Sequence, residues 1–315
     1  MGIDVQNIKF KYAPLDKDVL KGVTFKVNKE NELIFILGHT GSGKTTLVQN
    51  MNALLLPYDG NIKIFDQNVI KKRSHRIRLN TKKNQIRYNF TSNHKLFAKS
   101  NMLIYNPNLK ALRKHIGLVF QFPEYQLFES TVLKDVMFGP KNFGYKEDEA
   151  LSLSKKALSL VGISESYYDK SPFLLSGGQM RRVAIAGILA INPDIIILDE
   201  PTVGLDPKGK QNLMALLTHI QKESNKSIII ISHDMNIVGQ YAKRVVVMDK
   251  GKKVYDGSPR ALFSNEELYL KYNLSLPTPS ALAKELKNRG LINYNKLPLS
   301  KKELEDVILG GDINE

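Results

Sequence analysis

Residues 38–46, GHTGSGKTT, have the types and spacing of a phosphate-binding loop. They fit the pattern G-x-x-x-x-G-K-[ST] and lie between an apolar run and a helical stretch, the context that the pattern requires. Glycines let the backbone curl and direct N–H groups at phosphate oxygens, at the positive end of the following helix. We expect Lys44 to reach the β and γ phosphates and the Thr45 hydroxyl to ligate Mg²⁺. The predicted phosphate-binding residues are Gly38, His39, Thr40, Gly41, Ser42, Gly43, Lys44, Thr45 and Thr46.

Two carboxylates and a histidine follow other apolar runs. Asp199 ends one run and is predicted to hold Mg²⁺, whereas the adjacent Glu200 is placed to polarise a water for attack on the γ phosphate. A capping or solvated acid pair is the alternative, which the phosphate loop disfavours. His233 follows a third apolar run and is expected to contact the γ phosphate. Because a single histidine is more often structural, this role depends on its companions.

A second glycine-rich stretch, LSGGQ, occupies residues 175–179. A helix that begins at Ser176, Gly177 and Gly178 offers backbone N–H groups and a helix dipole to an anion. The phosphate loop is complete without this stretch. The sequence therefore raises the question of which phosphate it serves.

Short apolar, β-branched runs must position these residues. ELIFILG (32–38), DIIILDE (194–200) and SIIIISH (227–233) are typical of strands buried on both faces of a parallel sheet. Their polar ends gather at the carboxyl edge of the sheet, where doubly wound folds bind ligands. Residues 45–55 and 207–224 have helical patterns. The pattern of residues 8–27 indicates antiparallel strands. Residues 245–257 indicate a hairpin that turns at Lys250 and Gly251, and the chain after about Ser258 has the pattern of short helical segments.

The composition indicates a globular chain with an anionic partner. The 315 residues are 42% hydrophobic, contain no cysteine and carry a formal net charge of +15. Disulfides and thiolate metal sites are thus excluded, and no window approaches the roughly 18 apolar residues of a membrane span. The N-terminus lacks the apolar core of a signal peptide, so we expect a cytoplasmic chain.

A basic segment is inserted between residues 71 and about 110. From Lys71 to Lys114 the chain has thirteen Lys or Arg and no Asp or Glu. The pattern predicts a mobile surface segment. Three interpretations remain open: a solvated loop without specific function, contact with anionic lipid headgroups, and contact with nucleic acid.

Six motifs occur in the order and spacing of an ABC-type ATPase: GHTGSGKTT, the glutamine of GLVFQF, LSGGQ, IIILDEP, GLDP and the histidine of ISHD. The chain resembles one nucleotide-binding subunit of that family over about residues 3–258. The resemblance implies an α/β P-loop fold with a mainly parallel central sheet, an N-terminal antiparallel β subdomain and a helical signature subdomain. It implies an ATPase domain over residues 1–258, with the helical subdomain at about 122–190, and a small helical extension over 259–315.

The resemblance also implies ligands and residue roles. ATP and Mg²⁺ are expected, with Thr45, Gln121 and Asp199 on the metal. The LSGGQ residues would cover the γ phosphate of ATP held by a second subunit. The implied catalytic residues are Lys44, Gln121, Glu200 as general base and His233; the implied signature and seam residues are Ser176, Gly177, Gly178, Gln179 and Asp206. Tyr12 would stack on adenine through its π face, or is an ordinary strand aromatic.

Residues 117–144 distinguish among the classes of ABC ATPase; their sequence is GLVFQFPEYQLFESTVLKDVMFGPKNFG. Their aromatics Phe122, Tyr125 and Phe128 pack inside the helical subdomain or anchor a partner helix. With RRVAIAGILAINPDIIILDEPTVGLDPKGK, this segment resembles the ATPase subunits of energy-coupling factor vitamin transporters, particularly the second of their two types. That resemblance implies a heterodimer with a related ATPase, a transmembrane coupling subunit, a substrate-binding membrane subunit and a peripheral position on the cytoplasmic face of the membrane.

A soluble ABC ATPase that acts on nucleic acid or ribosomes is the rival hypothesis, since it shares the nucleotide motifs and suits a basic chain. The chain lacks the long coiled coil of chromosome-associated types and the second cassette of translation-associated types. We therefore expect no nucleic-acid partner. The transported vitamin or metal ion is not encoded in these motifs.

Overall fold

The computed structural model describes residues 2–29, 31–72, 103–105 and 108–313. These residues form twelve β-strands. They are β1 (Ile3–Phe10), β2 (Leu20–Val27), β3 (Leu33–Leu37), β4 (Asp59–Ile64), β5 (Gln67–Asn68), β6 (Ile70–Lys72), β7 (Leu103–Tyr105), β8 (Ile116–Val119), β9 (Ile195–Asp199), β10 (Ser227–Ile231), β11 (Arg244–Asp249) and β12 (Lys252–Gly257).

The main sheet has six strands in the order β12-β11-β3-β10-β9-β8. All neighbours are parallel except β11 and β12, which form the predicted antiparallel hairpin. Lys250 (φ 46°) and Gly251 (φ 81°) make its turn in the left-handed conformation that suits tight hairpins. Because the other five strands run the same way, their carboxyl ends share one edge.

A second sheet, in the order β2-β1-β4-β5, is antiparallel throughout. It is the expected N-terminal β subdomain. β6 and β7 pair with each other at the two ends of the basic segment, and residues 73–102 of that segment lie outside the described residues.

Eleven α-helices complete the described part of the chain. They are α1 (Lys44–Met51), α2 (Leu109–Lys114), α3 (Val132–Asn142), α4 (Glu147–Leu160), α5 (Gly177–Ala190), α6 (Pro207–Glu223), α7 (Met235–Tyr241), α8 (Pro259–Ser264), α9 (Glu266–Lys271), α10 (Thr278–Asn288) and α11 (Lys301–Ile308). Helices α3 to α5 occupy the predicted signature subdomain, and α8 to α11 the predicted C-terminal extension. No helix within the described ranges is long and apolar enough to cross a bilayer.

Alternate residues of the central strands bury their side chains in two cores. Ile34 and Ile36 of β3 face the core shared with α1 and the antiparallel sheet. Leu33, Phe35 and Leu37 face the core shared with the helices that follow β8. The sheet is thus covered on both faces, which explains why its strands are continuously apolar in sequence.

Helix α1 is shorter than its sequence pattern predicts. The pattern extends to Leu55, but the helix ends at Met51 and Ala53 adopts a left-handed conformation with φ 58°. The Asn52 side-chain amide donates to the Ile116 carbonyl oxygen at 2.9 Å, which joins the end of α1 to β8. A long-range contact therefore ends a helix whose local pattern would continue.

Candidate functional site

The predicted phosphate loop joins β3 to α1 at the carboxyl edge of the sheet. Gly38 (φ 138°) has no room for a side chain, since a Cβ there would lie 2.1 Å from the Met248 carbonyl oxygen. The β11–β12 turn supports the loop, because the Gly251 N–H donates to the Ser42 carbonyl oxygen at 3.0 Å. His39 Nε2 also lies 3.0 Å from Asp249 Oδ1. Glycine conformation and the hairpin together fix this loop.

Lys44 bends back over the loop that precedes it. Its Nζ donates to the carbonyl oxygens of Gly38 at 2.7 Å and His39 at 3.0 Å. Burial lowers the pKa of Lys44, while the charges of Glu200 and Asp199 oppose that shift. The ammonium group is therefore held at the loop by weak neutral acceptors, and an anionic phosphate is the stronger partner for it.

Thr45 and Asp199, two of the predicted metal ligands, are in direct contact. The Thr45 Oγ1 donates to Asp199 Oδ2 at 2.7 Å, which joins the first turn of α1 to the end of β9. Asp199 is only 7% exposed, and burial raises its pKa despite the opposing Thr45 hydrogen bond and Lys44 charge. A buried carboxylate that lacks a full counter-charge fits a hard cation. The described residues contain no group of three or more His, Cys, Asp or Glu side chains that could hold a metal ion.

Glu200 and His233 lie together at the same edge. Glu200 has φ 50°, a conformation that is strained for a non-glycine residue and is concentrated at functional sites. Its N–H donates to the Ile231 carbonyl oxygen at 3.0 Å, which ties the strained turn to β10. His233 Nδ1 is 2.8 Å from Glu200 Oε2, but the contact lacks hydrogen-bond geometry. Among the described residues Oε2 has no hydrogen-bond donor and is covered from solvent, so it is a buried acceptor without a partner.

Tyr12 follows β1 and lies beside the phosphate loop. Its hydroxyl is 2.9 Å from Thr46 Oγ1, and its ring packs edge-to-face with Phe10 at a centroid distance of 5.1 Å. The side chain nevertheless remains mostly exposed, at 62%. An exposed ring thus lies at the base of α1, beside the phosphate loop.

The LSGGQ residues form a helix start of their own. Ser176 caps α5, because the Gln179 N–H donates to its Oγ at 3.3 Å and the Ser176 N–H donates to Gln179 Oε1 at 3.0 Å. A Cβ at Gly177 or Gly178 would meet no atom within 4 Å. No hydrogen bond between described residues joins this start to the phosphate loop. The chain itself thus imposes no need for these two glycines.

Gln121 and Asp206 also lie apart from the contacts around Lys44. Gln121 follows β8 and is exposed. Asp206 caps α6, where its Oδ1 accepts the Gly209 N–H at 2.9 Å. The structure therefore assembles Tyr12, the phosphate loop, Asp199, Glu200 and His233, and leaves the remaining predicted residues on exposed turns and helix starts.

Sequence reasoning missed a buried ion pair between Arg181 and Glu124. The Arg181 guanidinium donates to both Glu124 carboxylate oxygens, at 3.0 and 2.7 Å. Burial would raise the pKa of Glu124, but the Arg181 hydrogen bonds and charge, with a backbone hydrogen bond, lower it below its ordinary value. The two residues are 57 positions apart, so only the arginine pair after LSGGQ hinted at a role for this side chain.

Comparison with known proteins identifies the family. A family model described as ABC transporter matches residues 20–203. The energy-coupling factor transporter ATP-binding protein EcfA2 of Ligilactobacillus salivarius (strain UCC118) is 41% identical over 321 aligned positions that cover the whole of both chains. The chain belongs to the energy-coupling factor transporter ATP-binding proteins. The EcfA2 protein of Streptococcus pyogenes serotype M28 (strain MGAS6180) is likewise 41% identical, over 99% of this chain and all of its own.

Solved structures agree with this membership. The cbiO1 structure from Clostridium perfringens, described as part of the ABC transporter complex cbiONQ, has a TM-score of 0.68 at 35% identity and covers 90% of this chain and 98% of its own. The ATP-binding cassette MJ0796, a dimer bound to ADP and Pi, has a TM-score of 0.61 at 26% identity and covers 82% and 99%. The predicted fold and ATPase class are confirmed. These energy-coupling factor relatives give no support to the nucleic-acid hypothesis.

Proposed function

We propose that this energy-coupling factor ATPase works as one half of a dimer, in which the LSGGQ helix of each subunit closes over ATP on the other. The observation that carries the proposal is that Ser176, Gly177 and Gly178 at the start of α5 are exposed. The exposed start of α5 offers backbone N–H groups and the positive end of a 14-residue helix to an anion. The similarity to a dimeric cassette bound to ADP and Pi supports the same arrangement.

The residues at the carboxyl edge have separate tasks in hydrolysis. Lys44 exchanges two carbonyl acceptors for phosphate oxygens, and Tyr12 stacks on adenine. Glu200 holds the attacking water through its carboxylate, with His233 2.8 Å from its Oε2. Thr45, Asp199 and Gln121 would hold Mg²⁺, which neutralises phosphate charge when bound. Since the site is complete only with a second subunit, water attack is productive only in the closed dimer.

An exposed aromatic surface near Gln121 is the proposed docking site for the membrane partner. We define it by Phe122, Tyr125, Phe128 and Phe138, of which Tyr125 is 84% exposed. Within this surface Phe128 and Phe138 pack edge-to-face with ring centroids 4.9 Å apart. Clustered exposed aromatics are the residues that anchor partner helices. We assign this surface to cytoplasmic helices of a transmembrane coupling subunit.

The complete assembly would contain further subunits. We infer a second, related ATPase as the dimer partner and a substrate-binding membrane subunit that captures a vitamin or another micronutrient. The chain would then lie at the cytoplasmic face of the membrane. Its basic segment, with thirteen Lys or Arg between residues 71 and 114, suits contact with anionic headgroups.

The substitution Glu200→Gln tests whether Glu200 acts as the base in hydrolysis while other residues bind ATP. The variant keeps the size of the side chain but cannot act as a base, so ATP binding should be retained, turnover should fall by at least about 100-fold, and the ATP-bound dimer should accumulate. Size-exclusion chromatography with light scattering measures the dimer, and phosphate release measures turnover. Lys44→Ala is the matched control, because it should lose ATP affinity and form no trapped dimer. Turnover near that of the unmodified chain in Glu200→Gln would overturn the proposal.

A further inference from the structure

A buried arginine connects helix α5 to the turn that carries Glu124 and to the backbone that follows Glu200. Arg181 lies in the second turn of α5 and is 5% exposed. Its Nε and Nη2 bind both oxygens of Glu124, as described above. Its Nη1 donates to the carbonyl oxygens of Pro201 and Val203, each at 3.0 Å. One guanidinium thus holds a carboxylate on one side and two backbone carbonyls on the other.

Each segment has its own place in the molecule. Glu124 lies in the helical turn Pro123–Gln126, between Phe122 and Tyr125 of the aromatic surface. Pro201 follows Glu200 directly, and the Val203 N–H donates to the Glu200 carbonyl oxygen at 3.3 Å. The guanidinium therefore fixes the backbone on which the strained Glu200 depends, and its own position depends on Glu124.

We propose that Arg181 is a positioning residue for Glu200, and that Glu124 sets its position according to the state of the aromatic surface. The proposal rests on the role assigned to Glu200 above. The planar fork of arginine suits this task, since it can serve two carboxylate oxygens and two carbonyls at once, which a lysine ammonium group cannot do. A shift of the turn Pro123–Gln126 on docking would reach the Glu200 backbone through a single side chain.

Two conservative substitutions test the proposal in the purified transporter complex. Glu124→Gln keeps the side-chain shape but removes the charge, and Arg181→Lys keeps the charge but removes the fork. We expect kcat for ATP hydrolysis to fall by about 10-fold or more in each, with KM for ATP changed by less than about 2-fold. Glu129→Gln, three residues after this turn, and Arg182→Lys, the next residue of α5, lie outside this contact; they are matched controls and should keep both parameters.

The outcomes separate this inference from the proposed function. If Glu200→Gln abolishes turnover but Glu124→Gln and Arg181→Lys keep a normal kcat, the positioning role is wrong and the proposed function stands. If Glu200→Gln keeps normal turnover, the proposed function itself is wrong, and the positioning role that rests on it falls with it. A rise in KM without a fall in kcat, or loss of folding in both variants by thermal melting, would show that the pair only supports structure and would overturn the inference.

Discussion

At the scale of single residues, the glycines of the phosphate loop and of LSGGQ differ in their surroundings. Gly38 is needed by its own chain, because a Cβ would collide with the Met248 carbonyl oxygen. Gly178 has no such neighbour, and its conformation is helical. We propose that Gly178 instead serves the nucleotide of a second subunit.

The substitutions Gly178→Ala and Gly38→Ala should separate these reasons. Gly178→Ala should keep or raise the stability of the chain, by up to about 1 kcal/mol, since alanine favours helix over glycine. It should still lower ATP turnover by about 10-fold or more, because a methyl group blocks the close approach of phosphate. Gly38→Ala should lower the melting temperature itself. Thermal melting and phosphate release measure the two effects, and full turnover in Gly178→Ala would contradict a phosphate role for the LSGGQ helix.

At the scale of elements, the apolar runs predicted three central strands of the six-stranded sheet. Strands β3, β9 and β10 lie within the predicted ranges because burial on both faces leaves an unbroken β-branched run. The end of α1 and the pair of Arg181 with Glu124 could not be predicted. Both depend on residues more than fifty positions away, which local patterns do not record.

At the start of helix α6, substitutions of one residue should affect folding stability and ATP turnover differently. Asp206 caps this helix, so Asp206→Ala should cost about 1 kcal/mol of folding free energy. Asp206→Asn should cost only a few tenths, since asparagine is an equally good cap. If the Asp206 charge also contributes to the dimer seam, both variants should lose turnover. Denaturant unfolding and phosphate release measure this, and a fully active Asp206→Asn would remove Asp206 from the seam.

At the scale of the whole molecule, the described residues of one chain bring together only part of the predicted site. The contacts around Lys44 were predictable because the phosphate loop, Asp199, Glu200 and His233 each follow a strand of one parallel sheet. Gln121 and the LSGGQ helix are exposed instead. The predicted roles of both came from the family resemblance, because no strand end of the sheet brings them to Lys44. The basic segment was evident from charge, but most of it lies outside the described residues.

We propose that the chain supplies ATP energy to an energy-coupling factor transporter through a partner ATPase. Purification of the tagged chain from its own membranes in mild detergent, followed by mass spectrometry of the bound proteins, is the measurement that tests this role. We expect it to recover a second related ATPase, a polytopic membrane protein and small substrate-binding membrane proteins. Recovery of ribosomes or DNA-bound proteins instead, with the chain absent from membranes, would contradict it.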